Sequence, residues 1–67
     1  MLKEIIFTKK RSLKWSRAFT LAKMLGCMVM TEDCETVTMT TFNGDHVIVE
    51  DIITEAGGRI LSCKDPF

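Results

Sequence analysis

The sequence predicts an α+β domain in which one helix packs on a small antiparallel sheet, in the order β-α-β-β-β with room for one further strand. Three observations lead there. Apolar residues recur at helical spacing from Trp15 to Leu25, the vocabulary beyond Gly26 shifts to valine, isoleucine, threonine and methionine, and Asn43-Gly44 and Ala56-Gly57-Gly58 punctuate that stretch as turns. The 67 residues read as a single small domain, 1–67, with no Pro, Gly or Ser tract to mark a linker. A chain of this size buries only about 60% of the surface it exposes unfolded, which leaves little depth for an active-site cleft.

Leu2 to Thr8, containing Ile5, Ile6 and Phe7, reads as a strand halted by Lys9-Lys10-Arg11. Ser12 follows as a helix N-cap, its hydroxyl placed to accept from a first-turn amide, with Ser16 as the alternative start. Trp15, Ala18, Phe19, Leu21, Ala22 and Leu25 then form the apolar stripe, with Arg17, Thr20 and Lys23 on the other side and Gly26 as the left-handed stop. Residues 27–31 suit a short strand, Glu32-Asp33 a turn, and 35–42 a longer strand alternating Val37 and Met39 with threonines. Asn43-Gly44 is the commonest tight-hairpin signal, so 46–53 reads as the returning strand. A three-residue loop that includes Asp45 puts Val37, Met39, Val47 and Val49 on one face, under Trp15, Phe19 and Leu25. Residues 59–63 make the last strand.

The net charge of zero hides a polarity along the chain. Through Lys23 seven cations stand against Glu4, a net of +6; from Met24 onward Arg59 and Lys64 stand against eight carboxylates, a net of −6. The apolar runs fall far short of the roughly 18 residues a bilayer demands, and the start is too short and too soon charged for a signal peptide. The odd count of cysteines, Cys27, Cys34 and Cys63, favours free, buried thiols in a reducing compartment, so a cytoplasmic protein is expected. With His46 these cysteines number four ligands, but their gaps of six, eleven and sixteen residues lack the close pairs of a zinc site, so no metal and no cofactor are expected.

Catalysis is not expected either. His46, the only histidine, reads as an exposed residue at a strand end with no nucleophile motif beside it, and Gly57-Gly58 lacks the lysine and helix of a phosphate loop. Binding is better served. Lys9, Lys10, Arg11, Lys14 and Arg17, with Trp15 among them, supply the cations and the ring that nucleic-acid binding uses, although Trp15 and Phe19 also fall on the core stripe. Glu32, Asp33, Glu35 and Glu50 are the acidic contacts available to a basic partner. Phe42 and Ile48, on the threonine face opposite the helix, form a candidate apolar patch, and the unpaired edges of the sheet offer a route to a homodimer.

A short helix with Ser16, Ala18 and Ala22, a strand, Asn43-Gly44, a strand, then Gly57-Gly58-Arg59 and Cys63 resembles small phage-encoded inhibitors, among them type I anti-CRISPR proteins. The resemblance implies a single compact domain that acts without catalysis by occupying the surface of another protein, such as a host defence complex, with Glu32, Asp33, Glu35, Glu50 and Asp51 as contacts. The expectation is therefore a small non-enzymatic protein-binding domain with no membrane role. The alternative is a nucleic-acid-binding module built on residues 9–23.

Overall fold

The computed structural model describes residues 2–25 and 28–65. Six elements follow one another: β1 (Leu2–Thr8), α1 (Leu13–Met24), β2 (Met28–Glu32), β3 (Thr36–Phe42), α2 (Asp45–Glu55) and β4 (Ile60–Lys64). The strands form one sheet in the order β2-β3-β1-β4, every neighbouring pair antiparallel. This is the split βαβ, or ferredoxin-like, topology, and the class is α+β as the sequence predicts.

β1 lies centrally, with Ile5 opposite Met39 of β3 and Cys63 of β4. Ile5, Phe7, Val37 and Met39 are fully buried, and alternation sends their neighbours to the open side of the sheet. Trp15, Phe19 and Ala22 of α1 and Val49 and Ile53 of α2, with Ala56 just beyond, complete the core. Phe7, Trp15 and Phe19 form an aromatic knot with ring centroids 4.9 to 6.4 Å apart. Ser12 caps α1 as expected, its Oγ accepting from the Trp15 amide at 3.0 Å. The expected stop at Gly26 and the strand start at Cys27 lie outside the described residues.

One element differs in kind. Residues 46–53, expected to be a returning strand, lie within α2, and Asn43-Gly44 joins a strand to a helix rather than closing a hairpin. Gly44 supplies φ +103° at the helix N-cap, a conformation glycine reaches without a Cβ clash. Val49, Ile52, Ile53 and Ala56 stand at i, i+3, i+4 and i+7, and burying that stripe outweighs the few tenths of a kcal/mol that each β-branched residue costs a helix. The expected shared face breaks up as a result. Val49 is buried with Val37 and Met39, while Val47 is 52% exposed.

Loops are tied by hydrogen bonds both local and distant in sequence. Asp33 Oδ1 accepts from the amides of Glu35 and Thr36 at 2.8 and 2.7 Å, and its Oδ2 accepts from the Thr36 hydroxyl at 3.0 Å. The Thr8 amide donates to Arg59 O at 2.9 Å while Thr8 Oγ1 accepts from the Arg59 amide at 2.8 Å. Gly58 brings its backbone against Ile53 and the Trp15 indole, a close approach no side chain permits.

Candidate functional site: the two-helix face

Both helices lie on one side of the sheet and touch each other, and their sequences divide the charge between them. α1 carries Lys14, Arg17 and Lys23 and no acid; α2 carries Asp45, Glu50, Asp51 and Glu55 and no lysine or arginine. Between them runs a groove of about 260 Å³ with Ala18, Leu21, Ile52 and Ala56 as its apolar surface and Lys14, Arg17 and Glu55 at its rim. The small alanines bring the backbones close, while Leu21 remains 48% exposed. Ile48, 49% exposed, stands one turn before Ile52 and extends the apolar seam.

The linear charge polarity of the chain is partly folded away. Lys3 pairs with Asp65 at 3.0 Å, Lys9 with Glu32 at 2.7 Å and Lys64 with Glu4 at 3.7 Å, each joining β1 or its exit to a later segment. Lys9 is occupied further by the Asp33 carbonyl at 3.1 Å, which removes it from the expected basic surface. Lys10, Arg11, Lys14 and Arg17 make no ion pair among the described residues. Lys23 sits over the Phe19 ring at 4.6 Å. The rings that a stacking platform needs are not beside these cations on the surface: Trp15 and Phe19 are 4% and 8% exposed, in the core.

The acidic candidates fall in two places. Glu32 ends β2 beside Lys9 and Asp33 and Glu35 belong to the β2–β3 connection, whereas Glu50 and Asp51 belong to α2. Phe42 and Ile48 do not form one patch, a correction that follows from α2: Phe42 ends β3, and Ile48 stands on the helix layer. The unpaired sheet edges are β2 and β4.

His46 is half-buried in the first turn of α2 rather than exposed at a strand end, and its Nδ1 accepts from the Gly44 amide at 3.0 Å. Cys34 and Cys63 are exposed, against the expectation of buried thiols, and Cys27 lies outside the described residues. His46, Glu50 and Cys63 bring one donor atom each within 4.8 Å of one another. Partial burial and then the Glu50 charge push the Cys63 thiol up from its ordinary value. The Glu35 and Thr36 amides, followed by the Thr36 hydroxyl, hold the Asp33 carboxyl below the usual range, and a hydrogen bond from Lys3 to Asp65 raises the Lys3 ammonium.

No described helix is long and apolar enough to cross a membrane. Sequence reasoning missed the juxtaposition of cationic α1 and anionic α2 because it rests on α2 being a helix; the spacing of Val49, Ile52, Ile53 and Ala56 is the signal that reveals it. No protein-family model, no curated protein and no solved structure matches the chain.

Proposed function

We propose that this chain is a small non-enzymatic protein-binding domain that works by occupying a partner's surface, as the small phage-encoded inhibitors it resembles do. The observation that carries the reading is the two-helix face, with cations on α1, carboxylates on α2 and an apolar seam of exposed Leu21 and Ile48 and half-buried Ile52. Such a face suits a protein surface with an apolar centre, acid opposite α1 and base opposite α2, because complementary rims steer encounter while the apolar centre holds the complex. A host defence complex is one partner of that kind.

The test compares surfaces. The tagged chain, a Leu21→Glu/Ile48→Glu variant and a Met28→Ser/Phe42→Ser variant of the sheet are cross-linked in lysate of the source cell, and the captured proteins are identified by mass. The same protein captured by the wild type and the sheet variant, and lost from the helix variant, supports the proposal. Its retention by the helix variant overturns the assignment of the face. Oligonucleotide binding that falls steeply with salt and is lost on changing Lys10 and Arg11 replaces the reading with the nucleic-acid one. Concentration-dependent mass in sedimentation, abolished by changes in β2 or β4, replaces it with a homodimer joined through strand edges.

A further inference from the structure

We propose that His46, Glu50 and Cys63 form a binding site for a borderline divalent transition metal, with Zn²⁺ as the fitting occupant. His46 and Glu50 stand at i and i+4 on α2, which puts both on one side of the helix. Cys63 is in register with Ile5, so it lies on the helix-bearing side of the sheet and faces them from edge strand β4. Two separate elements thus deliver an imidazole nitrogen, a carboxylate oxygen and a thiol sulfur to one place, all within 4.8 Å. A tetrahedral ion with metal–sulfur bonds of about 2.3 Å and metal–nitrogen bonds of about 2.0 Å spaces its donors roughly 3.6 Å apart, so side-chain rotation of about 1 Å closes the set.

The donors choose the metal. Mg²⁺ and Ca²⁺ take oxygen, whereas thiolate with imidazole selects Zn²⁺ or Co²⁺. Three protein ligands on a half-exposed surface leave the fourth position to water. Nδ1 of His46 accepts from the Gly44 amide at 3.0 Å, which puts the proton of the neutral ring on Nε2. Binding through either nitrogen therefore releases the Gly44 amide, which is exposed and turns to solvent. The ion clips the last strand to the first turns of α2. Cysteine spacing alone gives no sign of it, because the donors lie 4 and 13 residues apart and only the fold assembles them.

The test is a Co²⁺ titration of the metal-free chain under a non-thiol reductant, with Cys27 and Cys34 changed to serine so that Cys63 is the sole thiol. A thiolate-to-cobalt charge-transfer band that saturates at one ion per chain, is displaced by Zn²⁺ and weakens by at least about tenfold in affinity in His46→Gln and in Glu50→Gln supports the site. Movement of the Gly44 amide resonance on adding Zn²⁺, and a Zn²⁺-dependent rise in melting midpoint that is absent from Cys63→Ser, support it independently. Absence of the band overturns the proposal. So does a band whose affinity is indifferent to both His46→Gln and Glu50→Gln, since a lone cysteine then accounts for it. The glutamine variants keep the decision open to measurement if Cys63→Ser fails to fold.

Discussion

Replacing Gly58 by alanine places a methyl group where three atoms already stand. The new Cβ lies 2.5 Å from Ile53 Cγ2, 3.1 Å from the Ile53 carbonyl oxygen and 3.1 Å from Trp15 Nε1. The carbonyl cannot retreat freely, because it accepts from the Gly58 amide at 2.9 Å and closes the end of α2. Overpacking of this kind costs about 1–3 kcal/mol, and the loss of unfolded-chain entropy on adding the methyl returns only about 0.4–1 kcal/mol. A net loss of about 1.3 kcal/mol is expected, which for a domain of this size lowers the melting midpoint by roughly 5–10 °C. Urea unfolding followed by Trp15 fluorescence and by far-ultraviolet circular dichroism measures it, and the fluorescence also reports the indole that the methyl displaces. Gly44→Ala separates packing from backbone: nothing stands within 4 Å of its Cβ, but φ is +103°, so its cost of about 1–2 kcal/mol is conformational and leaves native Trp15 emission unchanged. An unchanged midpoint in Gly58→Ala, or a stabilised protein, refutes the account of Gly58 as a contact that admits no side chain.

Phe19→Ala removes a ring that touches both Phe7 and Trp15, costs about 3–5 kcal/mol and abolishes the cooperative melt; a retained sharp transition in calorimetry counts against the aromatic knot as the centre of the core. Thr41→Val is neutral or stabilising, because the buried Thr41 Oγ1 has no hydrogen-bond partner among the described residues to lose, and a clear drop in urea midpoint contradicts this. The folded Asp33 carboxyl titrates below its unfolded value, so its contribution is present above the ordinary carboxylate range and fades as pH falls through the folded value. The stability gap between wild type and Asp33→Asn therefore closes on acidification; a gap that persists at the lowest pH at which both fold removes the turn bonds as its cause.

Legibility in the sequence tracks how local each determinant is. Ser12, the stripe from Trp15 to Ala22 and the alternation around Val37 and Met39 are set by neighbours within a few residues, and β1, α1, β2, β3 and β4 are found close to where they are expected. Residues 46–53 carry two patterns at once, strand-like alternation at Val47 to Glu50 and helical spacing from Val49 to Ala56. A tertiary fact decides between them, since the sheet offers the segment a face to cover and β1, not this segment, pairs with β3. The basic residues were legible as a group, but the loss of Lys9 to Glu32 was not, because that pair spans 23 positions. The approach of Cys63 to His46 and Glu50 was hidden for the same reason.

The sheet order has a consequence for synthesis. β1 leaves the ribosome before the other elements of this sheet, yet its partners are β3 and β4, which emerge much later. Until then Ile5, Phe7, Trp15 and Phe19 have only one another to cover them, and a nascent chain in that condition is exposed to aggregation and to chaperones. Neither half of the chain can close its own sheet, since β1-α1-β2 and β3-α2-β4 interleave strand by strand. A ribosome that stalls before Ile60 therefore holds a protein whose central strand has one side open.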